Sequence, residues 1–127
     1  MSDKAKVLVF HAKDALDVAR KIQVALHESG ITSITFDEYS SAQKSVSLGD
    51  RYTSAINDHQ HVVCVVSDGL FANCYMAYAI GRAFGQGKVI SATNPKQNVI
   101  MPTWYKSALK NTNKTLPEVI LSFRLIQ

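Results

Sequence analysis

The stretch YMAYAIGRAFGQGKVI, Tyr75–Ile90, reads as a helix that stops at glycines and feeds a strand. Extended upstream, its helical part covers Ala72–Phe84 and carries Arg82 as its only charge. Small and aromatic side chains at helical spacing ordinarily mark a packed face, and Gly85 with Gly87 is an ordinary helix stop. Gly81 fits less well. A mid-helix glycine costs up to about 1 kcal/mol relative to alanine, and it predicts a close approach of another backbone. Lys88-Val89-Ile90-Ser91 is then a strand.

Working outward, Val62–Val66 is an apolar strand ending in Ser67-Asp68-Gly69, and Asp50–His59 before it is a short helix. Asp37–Gly49 is polar throughout and reads as a long loop, a kind of segment that more often serves function than packing. Ser33–Phe36 alternates and is β-branched, so it predicts a strand near a sheet edge. Ala15–His27 places Ala15, Val18, Ile22 and Ala25 on one helical face, and Ser29-Gly30 ends it. Val7–Phe10 is a short apolar strand running into His11-Ala12-Lys13-Asp14. Downstream, Met101–Lys110 predicts a helix with Pro102 near its start. Thr115–Phe123 is either a last helix or a fifth strand.

Strands alternating with helices predict an α/β architecture over residues 1–127: one doubly wound, flavodoxin-like domain with a central, mainly parallel sheet of four to five strands flanked by helices. Such sheets bind ligands beyond the carboxyl ends of their strands. The segments placed there are His11–Asp14, Asp37–Tyr39 and Ser67–Gly69, together with the amides opening the Ala72 helix.

Bulk properties narrow the function. A chain of 127 residues suits one domain with a real core. A net charge of +4 suits an anionic ligand such as a dinucleotide, but the basic residues are scattered and nucleic-acid binding is not expected. No signal-like apolar segment opens the chain, and no run approaches the ~20 residues of a membrane helix. Cys64 and Cys74 lie in apolar segments and read as buried thiols, so a cytoplasmic setting is expected. His27 and His59, near helix ends, read as partly exposed helix residues. No phosphate-loop, dinucleotide-fingerprint, hydrolase-elbow or paired-cysteine motif is present. His61 and Cys64 would point to opposite faces of one strand, so no metal site is expected.

Taken together, the motifs resemble a TIR domain of the bacterial, NAD⁺-cleaving kind, and more distantly the nucleoside 2-deoxyribosyltransferases. VLVFHAKD is similar to the opening strand and loop with Asp14. SITFDE resembles the second strand with its acidic pair, Asp37-Glu38. The stretch through Ser47-Leu48-Gly49 into Asp50 resembles the BB loop, and VVCVVS the third strand with its terminal Ser67. In the opening stretch Tyr75 falls at the family's aromatic position, and Gly81, Ala83, Gly87 and Lys88 fit the glycine-lysine pattern. Ala79 stands at the position of the catalytic glutamate. The resemblance is strongest over residues 6–92.

The resemblance implies cleavage of the nicotinamide–ribose bond of NAD⁺, which is substrate rather than cofactor, no other cofactor being needed. It places His11, Ala12, Asp14, Asp37, Tyr39, Ser67 and Tyr75 around the nucleotide, with Ala79 at the reaction centre. It also implies self-association with other TIR domains, up to a filament or larger assembly, and a sensor domain or partner outside this chain. Ala79 implies loss of catalysis, through an engineered substitution or in a naturally inactive module; the otherwise intact motif favours the first. A purely scaffolding TIR module and a deoxyribosyltransferase-like enzyme are the alternatives. A receiver domain fits less well, because Ser67-Asp68 is a poor phosphoacceptor site.

Overall fold

Strand β1 (Val7–Phe10) consists of four residues, all apolar and all buried. Continuous apolar runs of this kind suit strands covered on both faces, as in parallel sheets. The computed structural model describes residues 7–93 and places β1 inside a four-stranded sheet. The order is β2 (Ser33–Thr35), β1, β3 (His61–Val65), β4 (Val89–Thr93), with every pairing parallel. In register, Val7 lies opposite Ser33 and His61, and Val62 opposite Ile90. The strand expected near an edge is at the edge of this sheet. The elements foreseen after residue 93, including a fifth strand, lie outside the described residues.

Successive side chains of a strand point to opposite faces, and both faces are covered. Val7, Val9, Val63 and Val65 pack on Ala19, Ile22 and Leu26 of α1 (Leu16–Glu28). A short 3₁₀ turn, Lys13–Ala15, leads into that helix. Gly30, at φ +80°, reverses the chain after it, and Ile31 N–H donates to Leu26 O to close the turn. On the other face Leu8, Phe10, Val62 and Cys64 meet Tyr52 and Ile56 of α3 (Leu48–Asp58). Met76, Ala79, Ile80 and Ala83 of α5 (Cys74–Gly85) complete that layer. Full burial of a side chain such as Phe10 or Ile80 stabilises the fold by about 1.5–3 kcal/mol.

The structure corrects several local expectations. Phe36 is not the end of a strand: it opens helix α2 (Phe36–Ser41) inside the segment expected to be loop. Thr35 Oγ1 accepts from Glu38 N–H at 3.2 Å, and Asp37 and Glu38 favour the positive end of the helix. The Ala72–Phe84 helix is two helices, α4 (Asp68–Ala72) and α5, broken at Asn73. Asn73 adopts an extended backbone, and its Oδ1 accepts from Tyr75 N–H at 2.8 Å and Met76 N–H at 3.4 Å. Among the described residues a Cβ on Gly81 would meet nothing within 4 Å, so none of their backbone approaches it. Cys74 is exposed, because it starts α5 on the outer face. His59 is buried, its Nδ1–H donating to Ala55 O at 2.8 Å.

Candidate functional site

The chain leaves β1 towards β2 on one side, and β3 is laid down on the other. Where strand order reverses in this way, the loops at the carboxyl ends diverge and open a crevice. A cleft of about 700 Å³ lies there. Residues following β1 (His11–Asp14), β2 (Phe36, Asp37) and β3 (Gly69) line it, with Lys44, Arg51, Tyr52, Asn73 and Met76. Its volume falls in the range of small-molecule and cofactor sites.

His11 lines the cleft, yet both its ring nitrogens are taken by backbone. Nδ1–H donates to Ala12 O at 2.9 Å, and Nε2 accepts from Asp37 N–H at 3.2 Å. That pattern holds only for the neutral imidazole. Burial lowers the pKa of His11 below its ordinary value, which outweighs the bond to Ala12 and the nearby Asp37 carboxylate. His11 therefore ties the end of β1 to the start of α2.

Asp14 ties β1 to β3. Its Oδ1 accepts from Ser67 Oγ–H at 2.8 Å, and its Oδ2 from Gly69 N–H at 3.0 Å. Ser67 Oγ in turn accepts from Leu70 N–H at 3.3 Å, capping α4. The clamp is close enough that position 69 has no room for a Cβ beside the Asp14 carboxylate. The amides opening α4 and α5 are thus already bonded, at α4 by Asp14 and Ser67 and at α5 by Asn73.

Phe36 and Tyr52 line one wall and belong to a larger aromatic cluster. Phe36 and Tyr52 lie nearly parallel at 4.5 Å, Tyr75 continues the stack at 5.9 Å from Tyr52, and Phe10 meets Phe36 edge-on at 5.4 Å. Burial raises the pKa of the Tyr52 hydroxyl, so it stays protonated at neutral pH. Gly49 passes close under Tyr75, its Cβ position 3.4 Å from Cε1.

Opposite charges are unevenly distributed. Arg51 donates through Nε to Val46 O at 2.7 Å, through Nη2 to Lys44 O at 3.1 Å and through Nη1 to Ser40 Oγ at 3.3 Å. One guanidinium thus gathers the 42–47 turn onto α3. Asp37 has Arg20 at 3.8 Å. Among the described residues no carboxylate lies within ion-pair distance of Lys13, Lys44 or Arg51.

The residues singled out from sequence divide into two groups. His11, Ala12, Asp14 and Asp37 line the cleft together. Ser67 and Tyr75 do not line the cleft: Ser67 sits behind Asp14, and Tyr75 is the half-exposed outer ring of the aromatic stack. Tyr39 does not line the cleft; its hydroxyl donates to Asp58 Oδ2 at 2.6 Å. Burial, then Asp58, raises its pKa. Ala79 is fully buried, one turn beyond Met76, which does reach the cleft. Side chains on a helix lean towards its N-terminus, so a longer side chain at 79 extends towards Met76 and the cleft. Phe36, Tyr52, Arg51, Lys13 and Lys44 were not singled out. Lys13 lay within a segment already placed at a strand end, and Lys44 within the polar stretch marked as functional. Arg51 and Tyr52 become neighbours of the cleft only through the fold.

Among the described residues no group of three or more His, Cys, Asp and Glu is arranged to hold a metal, and no helix is long and apolar enough to cross a membrane. No family model and no curated protein matches the chain. Solved structures do. The chain is similar to the TIR domain of the Toll-related receptor TRR-2 from Hydra magnipapillata, at 12% identity and a TM-score of 0.69, over 97% of this chain and 95% of that one. It is similar to a 2-deoxyribosyltransferase from Bacillus psychrosaccharolyticus, at 16% identity and a TM-score of 0.62, over 89% and 90%. It is also similar to the TIR domains of the activated Roq1 resistosome that recognises the effector XopQ, at 14% identity and a TM-score of 0.59, over 96% and 72%. The chain has the α/β fold that TIR domains share with nucleoside 2-deoxyribosyltransferases.

Proposed function

We propose that the chain is a TIR-type domain of the NAD⁺-cleaving kind which keeps a dinucleotide cleft and lacks the carboxylate for bond cleavage. The observation that carries this reading is the relation between position 79 and the cleft. Ala79 lies one helical turn, about 5 Å, beneath Met76 in the cleft wall. A glutamate there would extend towards the site, while alanine leaves no carboxylate on that wall. Cleavage of the nicotinamide–ribose bond passes through a cationic, oxocarbenium-like ribose, which a nearby carboxylate stabilises. Nicotinamide departs as a neutral molecule, so no general acid is needed. Losing the carboxylate removes rate by orders of magnitude, at ~1.4 kcal/mol for each tenfold. Binding draws on the remaining groups and survives.

The cations support a phosphorylated ligand over the uncharged nucleoside of a deoxyribosyltransferase. A scaffold role has its own support: Tyr78 and Phe84 on α5 are more than half exposed, a feature suited to self-association. The test is Ala79→Glu incubated with NAD⁺ at several protein concentrations. Nicotinamide release by the glutamate form and none by the alanine form is expected. A folded glutamate form that releases none in any assembly state would favour the scaffold.

A further inference from the structure

The charges around the cleft suit only part of NAD⁺. Lys13, Lys44 and Arg51 line it without a carboxylate in ion-pair range among the described residues. Arg51 is held by neutral oxygens alone, those of Val46, Lys44 and Ser40. Of the two lining carboxylates, Asp37 has Arg20 at 3.8 Å, while Asp14, bonded to Ser67 and the Gly69 amide, keeps its charge because both donors are neutral. Ala79 supplies no third. A pyrophosphate entering this cleft meets cations without anionic partners. A pyridinium meets the same three cations, offset among the described lining residues by the unpaired charge of Asp14 alone.

Resting on the nucleotide reading above, we infer that the cleft with Ala79 is a receptor for nucleoside diphosphate esters whose far end carries no positive charge, and that it discriminates against NAD⁺. ADP-ribose is the simplest such ligand, and NADH is an isostere of NAD⁺ that differs by the one charge. A unit charge about 8 Å from a net charge of two, three cations less Asp14, in a water-like dielectric is disfavoured by about sixfold, less as salt rises. The preferred ligand is then of the class that glycosidic cleavage of NAD⁺ releases.

The experiment is calorimetric titration of the full chain with ADP-ribose, NADH, NAD⁺ and adenosine at low ionic strength, repeated in high salt. ADP-ribose and NADH should bind about sixfold more tightly than NAD⁺, with the gap closing in salt. Adenosine should be weaker than all three. Lys44 is exposed, so Lys44→Gln should leave the fold intact, weaken NADH, and narrow the NADH-to-NAD⁺ ratio by about twofold. NAD⁺ binding as tightly as NADH overturns the inference and leaves the nucleotide reading standing. Equal loss of NADH and NAD⁺ in Lys44→Gln also overturns it, since the ranking would then come from stacking. Binding of none of the nucleotides overturns both.

Discussion

Alanine at Gly69 would set a Cβ 2.5 Å from Asp14 Oδ1, 2.9 Å from Asp14 Cγ and 3.1 Å from Ala12 Cβ. The Asp14 side chain would have to leave, releasing the bonds from Ser67 and from the residue 69 amide. Both are charge-assisted but partly solvated, so about 0.5–1 kcal/mol each is the appropriate loss. Displacing Ala12 adds about 1 kcal/mol. Against this, alanine is favoured over glycine within a helix by about 1 kcal/mol. The net expectation is a destabilisation of about 1–2 kcal/mol. The same substitution at Gly81, whose surroundings are open, should stabilise by about 0.5–1 kcal/mol. The two variants should therefore differ by about 2 kcal/mol, or roughly 6–10 °C in melting temperature for a domain of this size. Urea denaturation of both, with a cycle through Asp14→Ala, measures it. Without the Asp14 carboxylate, Gly69→Ala should become nearly neutral, giving a coupling of about 1–2 kcal/mol. If Gly69→Ala costs the same in both backgrounds, the clamp between β1 and β3 is not what excludes a side chain there, and the reasoning fails.

Other consequences are as direct. Burial pushes the Cys64 thiol up to about 12 while Cys74 is exposed, so a thiol reagent at neutral pH should label Cys74 alone until the chain unfolds; prompt labelling of both would contradict the packing. His11 binds its proton less readily folded than unfolded. The unfolded chain therefore takes up the proton first as pH falls through 6.5, and stability should decline below that pH. His11→Asn should flatten that part of the profile, and an unchanged slope would assign it to another group. Arg51→Lys keeps the charge but loses the fork that holds the 42–47 turn. Trypsin should then cut after Lys44 severalfold faster, and equal rates would show that the fork does not restrain the turn.

The sheet was legible because β1 and β3 are apolar runs, and α1 because its apolar face repeats at helical spacing. Helix α2 was hidden by composition: Asp37-Glu38 with Ser40-Ser41 looks like loop. The signal was Thr35 with Glu38 three residues on, a helix-start pattern. The break at Asn73 carried a similar sign, since asparagine caps the residues after it better than it continues a helix. Gly81 misled because a conformational cost suggested a packing reason where no described residue comes within 4 Å of a Cβ. Within the cleft, His11 and Asp14 could be placed from their position after β1, but their bonds could not. Sequence suggests a histidine and a carboxylate available to a ligand; the fold uses both to hold strand ends together. Arg51 was invisible for the opposite reason, as its acceptors lie in a turn whose path only the tertiary structure sets.

The central claim is that the cleft at the carboxyl edge of β1 takes a nucleotide. Backbone amide shifts of the isotope-labelled chain, followed by NMR during titration with ADP-ribose, test it most directly. Saturable shifts concentrated at residues 11–16, 36–52 and 69–76 are expected, with Arg51, Tyr52 and Gly69 among the largest. Shifts confined to the outer faces of α1 and α5, or no saturable shift at millimolar ligand, would contradict it.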